Sequence, residues 1–194
     1  MYAGHDSTVT VAGSWSRNFI EPLLNDTRFM KNTLLLLTFD ENHTYTQQNR
    51  IVGILLGDAI PKELIGTTDG TYYNHYSEIS TVQANWGLDL LGRWDVGANV
   101  YKFVAEKTGD EIREWAGKIP FSNMFFNLSY PGQLNDENDS VPWPVPNTEL
   151  EYAGRKVAPV VVDTWGECSA ESAYTSKLEI PDGLHPEAEF KSSK

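Results

Sequence analysis

The chain has 194 residues, 40% of them apolar and 12% aromatic, which suits one globular domain with a sizeable core and is not the composition of a disordered chain. Its 27 acidic residues outnumber 15 basic ones, for a formal net charge of -12. That charge repels nucleic acid and anionic membrane surfaces, so neither is expected as a partner.

Near the start, Gly4-His5-Asp6 precedes a helical pattern over 9–24 that carries Trp15, Phe19, Ile20, Leu23 and Leu24, with Pro22 expected to bend it. A carboxylate in that position either caps the helix or marks a place where an anion binds. The run Thr33 to Phe39 is wholly apolar at its centre and ends in Asp40-Glu41-Asn42-His43. It reads as a strand buried on both faces, of the kind found in parallel sheets covered by helices. In such sheets the site lies beyond the carboxyl ends of the strands, where Asp40 and Glu41 stand. Two adjacent carboxylates there point to metal-assisted hydrolysis, set against the plainer reading of a turn or a helix cap.

Ile51 to Leu56, closed by Gly57-Asp58, reads as the next strand. A Gly- and Thr-rich loop over 66–73 then leads to Asn74-His75-Tyr76-Ser77. Ser77 is the expected N-cap of a helix through Ile79, Val82, Trp86 and Leu90, and Asn99 that of a helix ended by Gly109. His75, among Tyr72, Tyr73 and Tyr76, is either a hydrogen-bonded structural residue or a site residue. Trp86, Trp94 and Trp115 read as packing residues and not as a sugar platform. An anionic substrate would need a local cation, from a bound metal or from Arg50 and Arg93.

Beyond Lys118 the character changes. Pro142, Pro144 and Pro146 suit an extended strap, Ala158 to Val162 an edge strand, and the polar tail from Ser169 a mobile end. The expected organisation is therefore a catalytic-domain part over 1–117 and an irregular Pro-rich extension over 118–194, packed on it. Four sequons, at Asn25, Asn42, Asn127 and Asn138, give weak support for a secreted glycoprotein. No run is long and apolar enough for a membrane span, no signal-peptide pattern is present, and Cys168 is the single cysteine.

The ordered series Gly4-His5-Asp6-Ser7-Thr8-Val9-Thr10, Leu37-Thr38-Phe39-Asp40-Glu41, Asn49-Arg50-Ile51, Tyr72-Tyr73-Asn74-His75-Tyr76-Ser77 and Asn85-Trp86-Gly87-Leu88 resembles the C-terminal half of fungal secreted acid phosphatases. Those enzymes belong to the phosphoesterase family that also holds phospholipase C-type enzymes. The resemblance covers about residues 1–109. It implies an α/β fold, the C-terminal portion of an alkaline-phosphatase-like three-layer α/β/α sandwich with a largely parallel sheet. It also implies an acid phosphatase acting on phosphate monoesters, with Asp40 and Glu41 as ligands of a divalent metal ion of unspecified identity. His5, Asp6 and His75 match the family's residues near the substrate phosphate.

The family's acidic-amide strand motif and nucleophile region have no counterpart in the sequence. The expectation is thus a fragment, secreted in its full-length form, whose site is completed by an N-terminal segment of the same domain. A catalytically silent truncated homologue and a secreted glycan-binding or wall-associated module are the alternatives.

Overall fold

The computed structural model describes residues 7–43, 49–113 and 146–167. These fall into two compact units, one made of residues 7–41 and 50–68, the other of 42–43, 49, 69–113 and 146–167. Among the described residues helices and short strands are mixed, and no helix is long and apolar enough to cross a membrane.

The first unit begins with helix α1, Val9–Leu24. Thr8 caps it, its side chain accepting from Val11 N–H, and Arg17 and Glu21 form an exposed i,i+4 pair at 2.6 Å. Pro22 lies inside the helix, in its last turn. Asp26 starts the short α2, Thr27–Met30, by accepting from the N–H groups of Arg28 and Phe29. Those bonds, led by that of Arg28 N–H, hold its carboxyl below the usual range. Ile20 and Met30 are the buried apolar residues of this unit, while Trp15 and Phe19 stack on each other at 5.3 Å on an exposed face.

Strands β1, Leu35–Leu37, and β2, Ile54–Leu56, follow. They pair antiparallel, with Leu36 opposite Leu55, in a two-stranded sheet. The largely parallel sheet expected from the sequence is not seen among the described residues. The described part of the connection holds no helix, and without a crossover element consecutive strands join antiparallel. β1 is half-buried and not covered on both faces, so its leucine run reflects β-sheet pairing more than deep burial. Thr38 continues the ladder by donating its hydroxyl to Val52 O at 3.0 Å. At the other end Gly57, with φ 127°, passes so close to Thr33 that a Cβ would lie 2.1 Å from its carbonyl oxygen. Only glycine fits there.

The second unit is built on α3, His75–Trp86. The cap is Asn74, not Ser77 as expected: the Asn74 side chain accepts from Tyr76 and Ser77 N–H, and Ser77 Oγ accepts the Asn74 N–H, closing a capping box. Gly87, with φ 61°, ends the helix, so Leu90 lies beyond it. The expected apolar face is also turned round. Ile79, Val82 and Trp86 are exposed, Trp86 by 73%, whereas Ser77, Ser80, Thr81 and Gln83 are buried. Hydrogen bonds decide this. Ser80 donates to Asp95 O at 2.6 Å, Gln83 Nε2 to Asp95 Oδ2 at 2.9 Å, and Thr81 Oγ1 accepts Tyr101 N–H at 3.0 Å.

Helix α4, Lys102–Thr108, packs on α3 and ends at Gly109. Asn99 does not cap it. Instead its buried amide donates to Tyr72 O and Arg113 O, both at 2.9 Å, and accepts from Arg113 N–H, tying two loops together. Strands β3, Glu151–Tyr152, and β4, Arg155–Lys156, form a hairpin across Ala153 and Gly154, both at positive φ. Leu90, Val96, Leu150 and Val157 form the apolar core, with Leu90 and Val157 joined by a parallel bridge. Each such side chain contributes about 1.5–3 kcal/mol by burial. The expected edge strand over Ala158 to Val162 is instead the start of helix α5, Pro159–Trp165, because proline at the first helical position is preorganised for a helix. Beside the core, Arg155 holds the fully buried Asp110 carboxylate, which also accepts from Thr108 Oγ1 at 2.6 Å.

Candidate functional site

Asp40 and Glu41 stand just past β1 in the first unit, and both are exposed. The backbone turns there: Glu41 N–H donates to Asp40 Oδ1 at 3.0 Å, so one carboxylate oxygen of Asp40 helps to fix the turn. Asn42 N–H is taken up by Asn49 Oδ1 at 2.7 Å. The adjacent carboxylates supply hard oxygen donors of the type that binds a divalent ion. They fit such an ion in chemistry, yet among the described residues no three His, Cys, Asp or Glu side chains gather around one point. Further ligands would have to come from elsewhere.

His5, Asp6, Trp115 and Cys168 lie outside the described residues, as do the sequon asparagines Asn127 and Asn138, Pro142 and Pro144 of the expected strap, and the tail from Ser169. His75 belongs to the second unit, at the first position of α3. Its ring is exposed, with Nδ1 3.5 Å from Glu78 Oε1 on the next turn. The residues around it are firmly held. Tyr73 Oη donates to Asp69 Oδ2 at 2.6 Å and accepts Lys102 N–H at 2.9 Å, and Tyr76 meets the Trp94 ring edge-on at 5.1 Å. Tyr73 also packs edge-on against Tyr101 at 5.0 Å.

The electrostatics follow from these contacts. Burial, reinforced by the bond to Asp69, raises the Tyr73 hydroxyl well above its ordinary value, and burial with the charge of Glu78 pushes Tyr101 up to about 12. Both phenols therefore keep their protons at any working pH. Burial works to raise the Asp69 carboxyl, but the Tyr73 hydroxyl, the Thr71 N–H and the Lys102 charge outweigh it and hold the group below the usual carboxylate range. Of the two cations expected to serve an anion, Arg93 lies over the Trp94 ring at 5.3 Å and donates its N–H to Asp95, while Arg50 is an exposed residue of the first unit.

Sequence reasoning missed three residues that shape this region. Asp95 is buried and accepts from Leu91 N–H, Arg93 N–H and Gln83 Nε2, a role that only long-range contacts reveal. Asn74 was readable, since Asn74-x-x-Ser77 has capping-box spacing. Glu78 was readable too, standing three residues after His75 on a helical face.

Residues 1–89 match the model of the Phosphoesterase family. Over about nine-tenths of its length the chain is similar to fungal acid phosphatases. It is 48% identical over 175 residues to the phosphate-repressible acid phosphatase of Penicillium chrysogenum, covering 90% of this chain and 42% of the relative. It is 43% identical over 176 residues to the acid phosphatase of Aspergillus fumigatus, covering 89% of this chain and 38% of the relative. A probable acid phosphatase of Kluyveromyces lactis is 43% identical over 178 residues, covering 89% of this chain and 41% of the relative. The chain thus spans about two-fifths of the length of these curated relatives. No solved structure matches it. The resemblance to fungal acid phosphatases read from the motifs is thereby shown, and it extends past residue 109 to most of the chain.

Proposed function

We propose that this chain is part of an acid phosphatase that hydrolyses phosphate monoesters by metal-assisted phosphoryl transfer. The observation that carries the reading is the 41–48% identity to fungal acid phosphatases over about 90% of the chain. Asp40 and Glu41 would hold a divalent ion, which when bound neutralises charge on phosphoryl oxygens. His5 and Asp6 would lie near the substrate phosphate. His75 would steady the oxyanion or protonate the leaving alkoxide, the better leaving group being the protonated one. Residues outside the chain would complete the ligand set and the sheet, giving an alkaline-phosphatase-like three-layer α/β/α domain. Secretion of the full-length form is part of the proposal, supported by the exposed sequon residue Asn25.

The silent-homologue reading is the alternative in which the carboxylates of Asp40 and Glu41 serve the turn alone, as the Glu41 N–H bond to Asp40 allows. A chimera separates the two readings. The chain replaces its matching 42% of the Penicillium chrysogenum phosphatase, and release of phosphate from a small aryl phosphate is measured with and without chelator. Chelator-sensitive turnover is expected. A soluble, folded chimera with no turnover would favour the silent homologue.

A further inference from the structure

Glu78 stands one helical turn beyond His75, its Oε1 3.5 Å from His75 Nδ1. Both side chains are partly exposed, and exposed pairs of this kind add little to stability. The pair can, however, do something that a stabilising contact need not do. A carboxylate beside one imidazole nitrogen fixes the ring's rotation and its tautomer, and directs the other nitrogen to the opposite edge.

The surroundings favour that role. The backbone under His75 is held by the Asn74 and Ser77 capping box. Tyr73 and Tyr76, on either side in sequence, are fixed by Asp69, Lys102 and Trp94. The backbone and the neighbouring tyrosines are thus held, and Glu78 meets the imidazole from the next turn of the same helix. The Glu78 charge also adds to burial in pushing the Tyr101 hydroxyl up to about 12. Resting on the phosphatase reading, we propose that Glu78 is a positioning residue for phosphoryl transfer: it orients the His75 imidazole through Nδ1, so that Nε2 faces the reacting phosphate and leaving oxygen.

A double-mutant cycle in the full-length enzyme tests this, with turnover of a small aryl phosphate and melting temperature as readouts. Glu78→Gln should lower kcat about tenfold with KM within about twofold, the scale seen when a partner that orients a functional imidazole is removed. Glu78→Asp, which keeps the charge on a shorter arm, should retain more activity than Glu78→Gln. In a His75→Gln background, adding Glu78→Gln should cost nothing further. A wild-type kcat for Glu78→Gln, or losses that multiply in the double variant, would overturn the proposal. So would a Glu78→Gln variant that melts lower while its kcat is unchanged, since that marks a helix-stabilising role alone. If His75→Gln itself turns over normally, the phosphatase site fails and this inference with it. If His75→Gln is slow and Glu78→Gln is not, the inference fails alone.

Discussion

At the end of β1, Asp40 accepts the N–H of the very next residue, and both carboxylates of the pair are exposed. At the start of α3 the ties reach far along the chain: Tyr73 to Lys102, Thr81 to Tyr101, Asn99 to Tyr72, Ser80 and Gln83 to Asp95. One region is made by local turn chemistry and the other by a buried polar network. The difference teaches where function and stability can be separated. Substitutions at the strand tip should act on chemistry alone, whereas those in the network under α3 should act on folding first.

The largest expected effect is at the strand tip. On the proposed reading, Asp40→Asn and Glu41→Gln in a full-length enzyme should each lower kcat about a thousandfold, or roughly 4 kcal/mol in barrier, because each would remove ligand charge from a metal stabilising the transferring phosphoryl group. Melting temperatures should hardly move, since neither side chain is buried. Chelator should reproduce the loss in wild type. Near-normal turnover in both variants would remove the metal-ligand reading and break the contrast between the two regions.

Next comes the network. Asp95→Ala strips the partner from two backbone N–H groups and a buried amide, each of which costs about 1–3 kcal/mol when left unsatisfied. Denaturant unfolding should show a loss of about 3 kcal/mol, allowing for some relaxation. If stability fell by less than about 0.5 kcal/mol, water would have replaced the carboxylate and the region would be less sealed than its burial implies.

His75→Gln joins the two regions' behaviours, because the exposed ring sits on a buried scaffold. Turnover should drop about a hundredfold, the usual scale for a lost general acid, with little change in melting temperature. The opposite pattern, normal turnover with a lower melting temperature, would make His75 a structural residue.

These contrasts explain what could be read from sequence. Helix α1, the turn after β1 and the stop at Gly109 were legible because each is encoded by neighbours: apolar residues at helical spacing, an apolar run broken by carboxylates, a glycine past the last turn, while the start of α3 was placed three residues late, at Ser77. What was misread depended on partners distant in sequence. The buried face of α3 is polar because Asp95 and Tyr101 pair with it, and no period-3.6 count of apolar residues could find that. The hairpin at Ala153-Gly154 escaped notice because alanine seldom takes a positive φ, here 49°. Pro159 was placed in a strand when it opens a helix, since an apolar run of that length fits both. For the candidate site, His5, Asp6, Asp40, Glu41 and His75 were named from pattern and resemblance, Glu78 was readable from its spacing but passed over, and the role of Asp95 came from the fold.

The smallest expected effect sharpens the comparison through pH. Asp69 is exposed, yet the Tyr73 hydroxyl, the Thr71 N–H and Lys102 hold its carboxyl below the ordinary value of 3.8 against the opposing effect of burial. A carboxyl depressed in the folded state binds fewer protons there than in the unfolded chain, so it contributes stability above the unfolded value and loses it as pH falls through the folded one. Asp69→Asn should therefore lower the melting temperature slightly at pH 7. The gap to wild type should begin to close as pH drops below about 3.8, the unfolded value, and vanish only once pH has fallen through the lower folded one, where the folded carboxyl also becomes neutral. Because Asp69 is exposed, solvent screening keeps the effect small, and raised salt should shrink the Lys102 share of it. A gap that stayed constant as pH fell from 7 through the depressed folded value would mean that the carboxylate's charge contributes nothing, and that Asp69 serves Tyr73 only as a hydrogen-bond acceptor that asparagine cannot replace.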